Sequence, residues 1–207
     1  MTDDLNSVKT APAQDRGYHH GALRAALIEA AETVIAERGV DRFSLREVAR
    51  RAGVSPAAPA HHFGDSRGLL TAVAAEAFRR FGDALAESDS GGLRERRIRA
   101  QGLAYVRFAL AERAKFDLMW RYALIDRDNA DYKAAADRAF LLLDELVRGP
   151  GAPRGESDLD YAPSIACWSM VHGFARLALD GAFGDDSAIA EAAAVQLLPL
   201  VLDHLDV

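Results

Sequence analysis

Arg42, Arg46, Arg50 and Arg51 fall within ten residues of one another, opposed locally only by Asp41 and Glu47. Guanidinium groups clustered on one short helix suit a run of phosphates, and equally a solvated helix face. A second concentration is histidine: His19–His20 and His61–His62. His19 and His20 do not share a helix face, and no carboxylate or thiol stands near them at ligand spacing, so no metal site is expected. With Tyr18 they lie near the start of a helix, where free N–H groups and the dipole favour a phosphate. Trp168 and His172 stand at i, i+4 and so on one helix face. With Tyr105, Phe108, Phe116, Met119 and Trp120 they concentrate the aromatic and sulfur groups of the second half. Such groups wall a small-molecule cavity or simply fill a core. The parts of a catalyst are missing: there is no glycine-rich phosphate loop, no G-x-S-x-G elbow and no spaced set of metal ligands. Cys167, beside Trp168 in an apolar stretch, reads as an inert buried thiol. Neither an enzyme nor a cofactor is expected.

The elements that hold these residues are helices. Leu23, Ala26, Leu27, Ala30, Ala31, Val34 and Ile35 keep helical spacing through a first helix over residues 18–38. Ser44 and Glu47 have the spacing of a capping box, with Phe43 and Val48 placed for a hydrophobic staple. Leu45, Val48, Ala49 and Ala52 give the next helix an apolar face, and Gly53 closes it. Ser55 is positioned as a second N-cap and Pro56 as the first helical residue. Two short helices at a glycine turn form the arrangement that sets a recognition helix in a DNA major groove. That second helix is plain: Ala57, Ala58 and Ala60 expose methyl groups, and Pro59 removes a hydrogen bond near the first turn. It carries no Arg, Asn or Gln for bidentate base reading. Readout is left to thymine-methyl contacts, Ser55, His61 or His62, and Arg46 from the preceding helix.

The uninterrupted run from YHHGALRAALIEAA through SLREVARRAGVSPAAPAHHFGDSRGLL, about residues 17–81, resembles the DNA-binding domain of TetR-type transcriptional regulators. The W-S-M-V-H-G segment at Trp168 to Gly173 is similar to the tryptophan–histidine–glycine signature of one group of that family's C-terminal domains. No run of alternating β-branched residues competes with the helices, so an all-α fold is expected, and the polar, aperiodic residues 1–16 read as a flexible tail. The resemblance implies a three-helix DNA-binding domain with its linking helix over 17–87 and a ligand-binding and dimerisation domain over 88–207. It implies a ligand-responsive regulator, a repressor in expectation, held on a palindromic operator as a homodimer and released by a small apolar or amphipathic molecule. Arg46 stands where members of the family commonly reach a base. Ser44, Ser66 and Arg67 join the expected DNA face. Two departures bear on affinity. Ala60 replaces a frequent tyrosine and Ser66 a frequent lysine, so backbone contacts lean on Arg67 and free N–H groups. A helical small-molecule-binding or interaction protein with weakened DNA binding is the alternative.

The chain has 207 residues, 50% of them hydrophobic and 27% charged, with a net charge of −6. An acidic protein does not coat nucleic acid generally, so DNA contact must come from a local patch. Cys167 stands alone, which precludes an intrachain disulfide; no secretory n-region or membrane-spanning run is visible, so a cytoplasmic location is expected. Residues 88–92, SDSGG, form a loop. Further helices are expected over 93–112, 116–125, 131–148, 159–183 and 188–205, with 149–157 the longest internal loop. The last two helices, rich in Ile165, Leu177, Val195, Leu197 and Leu200, either complete a monomer or pair with a second copy in a four-helix bundle.

Overall fold

A computed structural model describes residues 13–152 and 157–204, the side chains of 13–20 and 158 excepted. The described elements are all helical. Helix α1 (Ala13–Arg38) begins five residues before the expected start, so residues 13–16 of the expected tail are helical and residues 1–12 lie outside the described set. Its stripe of Leu27, Ala31, Val34 and Ile35 is buried almost completely. Each large aliphatic there stabilises the fold by roughly 1.5–3 kcal/mol.

A 3-10 turn at Val40–Arg42 leads into α2 (Leu45–Arg51), followed by α3 (Ala58–Phe63) and α4 (Ser66–Glu87). Helix α2 ends as its sequence indicates. Gly53 adopts φ +67°, the Gly53 N–H donates to the Arg50 carbonyl at 3.3 Å, and the Val54 N–H donates to the Ala49 carbonyl at 3.0 Å. Those two bonds satisfy carbonyls that the last turn would otherwise orphan. The expected capping box does not form: Ser44 has the extended N-cap backbone, but its side chain makes no cap bond. Nor does Ser55 cap α3, which starts two residues later than expected, at Ala58. Pro59 has no N–H to return to the Ser55 carbonyl, so the Ala58 N–H takes that carbonyl at 3.0 Å in a tighter turn.

Asp65 caps α4 by accepting from the Gly68 N–H at 2.8 Å. Gly68 is required for a different reason. A Cβ there would lie 2.0 Å from the Phe63 carbonyl oxygen, so the first turn of α4 rests directly on the end of α3.

Beyond residues 88–93 come α5 (Arg94–Ala111), α6 (Arg113–Met119), α7 (Ala130–Arg148), a 3-10 turn (Asp158–Tyr161), α8 (Ala162–Leu179) and α9 (Ser187–Leu202). Two expected helices are shorter here. α6 stops at Met119 instead of continuing to 125, and residues 120–129 form turns. There Asp126 Oδ1 takes the Asp128 N–H at 3.0 Å and Asn129 Oδ1 takes the Tyr132 N–H at 3.1 Å. Such side-chain acceptors compete with helical pairing. α8 ends at Leu179, not 183, because the Ala182 N–H turns back to the Leu177 carbonyl at 2.9 Å.

The buried side chains form one continuous core from Leu27 to Leu202. Helix α4 is its axis: it packs most extensively on α7 and also contacts α1, α3, α5 and α6. α5 packs against α8 and α9. Between α7 and α8, buried Asp144 accepts from Ser164 Oγ and Arg148 Nε, both at 2.7 Å. No described helix is long and apolar enough to cross a membrane.

Candidate nucleic-acid interface and ligand cavity

Helix α2 sits on α1 and carries the arginine cluster outward, but the cluster is not all available. Glu47 gathers two of its four guanidinium groups, Arg50 at 2.8 Å and Arg51 at 3.0 Å, and with them Arg38 of α1 at 3.1 Å. This is why no capping box forms, since a carboxylate offered charged donors leaves the Ser44 N–H. The bonds from Arg50 and then Arg51 hold the Glu47 carboxyl down at about 2. Arg51 is further engaged by Glu37. Arg42 and Arg46 are exposed and have no carboxylate partner among the described residues. They are the cations left for a phosphate or a base.

Ser44, Ser55, Pro56, Ala57, Ala60, His61 and Ser66 are exposed, as a DNA-facing set requires. Ala58 and His62 are half-buried, His62 lying against Phe63 with ring centroids 6.3 Å apart. Pro59 is buried on the inner side of α3. Tyr18, His19 and His20 fall within α1, and their side chains lie outside the described set. Arg67 departs from expectation. Its Nη2 donates to the Ile125 carbonyl at 2.9 Å, so its guanidinium group is turned toward the second half of the molecule.

A cavity of about 640 Å³ lies between α4, α5, α7 and α8. Of the residues expected to line it, Tyr105, Trp120 and Trp168 do so. Phe108, Phe116 and Met119 are packed in the core instead, with Phe116 and Met119 fully buried. His172 stands behind the wall: its Nδ1 lies 2.7 Å from the Tyr105 hydroxyl, and its ring is 5.0 Å from that of Trp120. Burial, with a lesser contribution from Arg176, lowers the His172 pKa and favours the neutral ring. Trp168 Nε1 donates to the Tyr105 hydroxyl at 3.3 Å. The hydroxyl thus sits between the indole N–H and the imidazole Nδ1, and burial raises its pKa.

Much of the wall comes from residues that the sequence did not single out as a site. Helix α4 contributes Phe78 and Phe81, α7 contributes Tyr132 and Phe140, and α5 contributes Ile98, Gln101 and Tyr105 along one face. Helical spacing alone does not tell a cavity-facing stripe from a filled one. The indole N–H of Trp120 is buried without an acceptor among the described residues. Cys167 also lies on the wall, 1% exposed, with its thiol pushed up to about 11 by burial, which suppresses the reactive thiolate.

The segment that edges the cavity also grips the reader. Trp120, Tyr122 and Asp126 to Asp128 border the opening. From the same segment Arg121 pairs with Asp41 at 2.6 Å, the Ile125 carbonyl takes Arg67, and the Asp126 N–H donates to Thr71 Oγ1 at 2.8 Å. Lys115 adds a contact from α6 to Glu32 of α1 at 3.3 Å.

Residues 27–73 match the family described as bacterial regulatory proteins, tetR family, and residues 98–199 match the tetracyclin repressor-like C-terminal domain. Among curated proteins none matches the chain. Among solved structures, a protein with unknown function from Rhodococcus sp. RHA1 is 33% identical, over 86% of this chain and 94% of that one, with a TM-score of 0.68. The TetR family regulator PfmR from Thermus thermophilus is similar at 22% identity, 96% and 100% coverage and a TM-score of 0.62. LfrR from Mycobacterium smegmatis, solved in complex with proflavine, is similar at 18% identity, 85% and 94% coverage and a TM-score of 0.59.

Proposed function

The chain belongs to the TetR family of bacterial transcriptional regulators, and on that premise we propose that it is a cytoplasmic homodimeric repressor of a palindromic operator, released by a small apolar or amphipathic molecule. The observation that carries this reading is the double membership of α4. Its first turn abuts α3 through Gly68, and its Phe78 and Phe81 form part of the cavity wall. A molecule that moves the wall therefore moves the reader. Ligand and DNA must then weaken each other by the same factor, because each favours a different arrangement of one chain.

Dimerisation is supported by a row of exposed aliphatic side chains on α8 and α9. Leu177 is 52% exposed, Ile189 56% and Leu200 61%, with Ile165 and Val195 beside them on the same helices. An apolar surface of this kind is suited to cover by a second copy, giving a four-helix bundle that fixes the distance between two readers. Two readers one DNA turn apart match a palindrome. The domain limits at 16/17 and 87/88 belong to the same proposal.

One observation favours the alternative of a small-molecule-binding protein with weakened DNA binding. Ala60 and Ser66 offer the backbone little, and Arg67 is committed to Ile125. Gel shifts with the DNA upstream of the protein's own reading frame separate the two. Sequence-selective retardation with two or a multiple of two protomers per site supports the repressor; no selective binding even at low salt supports the alternative.

A further inference from the structure

We propose that the cavity takes a neutral, mainly aromatic molecule bearing one hydrogen-bonding group, and that Gln101 is the residue that meets that group. The proposal rests on the reading of this cavity as the effector site. Gln101 sits on the α5 face that lines the cavity and is only 6% exposed. Its Nε2 makes one long bond, 3.5 Å to the Leu142 carbonyl. No described residue donates to its amide oxygen, and the side chain lines the cavity. A carboxamide can donate two hydrogen bonds and accept at two lone pairs. Leaving most of that capacity unused in a buried position is costly unless another molecule fills it.

Two hydroxyls of the wall are already occupied. The Tyr105 hydroxyl is held between Trp168 and His172, and the Tyr132 hydroxyl donates to the Met119 carbonyl at 3.3 Å. The buried Trp120 N–H is a second wall group the protein leaves unpaired. Ionisable side chains that border the cavity, Arg67, Asp126, Arg127, Asp128, Lys133 and Asp137, are all exposed and divide three against three in charge. They form a balanced rim. The interior offers an ionised ligand no countercharge, and an unpaired charge in such surroundings is strongly disfavoured. A carboxamide instead suits a hydroxyl, carbonyl or amide, serving as donor or acceptor as the ligand requires.

Both tryptophans of the chain line the cavity, so quenching of intrinsic fluorescence reports occupancy. The full-length protein and a Gln101→Leu variant are titrated with 2-naphthol, 2-methylnaphthalene and 2-naphthoate, which share a ring system and differ in one substituent. In the unaltered protein, 2-naphthoate is expected to bind at least about tenfold more weakly than 2-naphthol. In Gln101→Leu, the affinity ratio of 2-naphthol to 2-methylnaphthalene is expected to fall by about tenfold, while 2-methylnaphthalene still binds, which shows the variant folded. The tenfold scale corresponds to one neutral hydrogen bond. An unchanged ratio overturns the role of Gln101, and naphthoate binding as tightly as naphthol overturns the neutral class. Absence of saturable quenching by both neutral probes overturns the effector-site reading itself, and this proposal with it.

Discussion

Arg121 reaches Asp41 at 2.6 Å, joining the residue that follows cavity-lining Trp120 to the turn that leads into the reader. The pair is largely exposed and is expected to contribute only about 0.2–1 kcal/mol. Its neighbours are better protected. Thr71, 1% exposed, accepts from the Asp126 N–H and donates to the Arg67 carbonyl at 2.7 Å. Thr71→Val removes the acceptor and strands the Asp126 N–H, an expected loss of about 1–3 kcal/mol. Chemical denaturation measures it. Faster amide exchange at residues 40–52 and 122–128 together is the expected sign that reader and rim share one latch; exchange rising only at the rim would refute that linkage.

Gly68→Ala places a methyl group against backbone that has no rotamer to move. The contact at 2.0 Å from the Phe63 oxygen forces α3 and α4 apart. An expected cost of about 1–3 kcal/mol appears in thermal unfolding, together with loss of operator binding. Wild-type stability in this variant would show that the junction tolerates separation.

The arginines near the reader are expected to divide by their partners. Arg46→Ala weakens operator binding by about 1–3 kcal/mol if it reads a guanine, and flattens discrimination at one base position. Arg42→Ala lowers affinity for all sequences alike and reduces the salt slope by about one. Arg50→Ala has a smaller effect on the slope, because Glu47 already holds that guanidinium. Anisotropy titrations across a salt series give all three values, and equal slopes for the Arg42 and Arg50 variants would defeat the distinction.

Acid should loosen the cavity wall through His172. Its folded pKa is lowered from 6.5, first by burial and then by Arg176, so the unfolded chain takes up the proton first. Stability from this group is complete above 6.5 and is lost as pH falls through the lowered folded value. Other groups facing the ring, Tyr105 and the two indoles, carry no charge near neutrality. Melting temperatures between about pH 8 and pH 5 should fall less steeply for His172→Gln than for the unaltered chain. Parallel curves would place the acid sensitivity elsewhere.

Helical spacing and its punctuation made most of the fold legible. Leu27 to Ile35, Gly53 and the end of α4 at Glu87 stand where periodicity and punctuation indicated. Competition was harder to read. Ser44 and Glu47 had capping-box spacing, but Arg38 lies on another helix and Arg50 and Arg51 a turn away, and together they claim the carboxylate. On the cavity side, Tyr105, Trp120 and Trp168 were legible as bulky aromatics in a helical domain. Phe116 and Met119 have the same character and lie in solid core, because which side of a wall a ring takes depends on packing partners far away in sequence. Gln101 carried no signal at all: a single glutamine in an amphipathic helix looks like solvent-facing surface until its neighbours are known. Arg67 was placed in the right helix turn and given the wrong direction.

Glu47 binds Arg50 and Arg51, two of the four clustered arginines, together with Arg38, and its charge offsets part of theirs. On a chain of net charge −6, this leaves little indiscriminate pull toward random duplex. On the proposed function, the acidic residue that first reads as a helix cap thereby tempers the pull of random duplex on the reader.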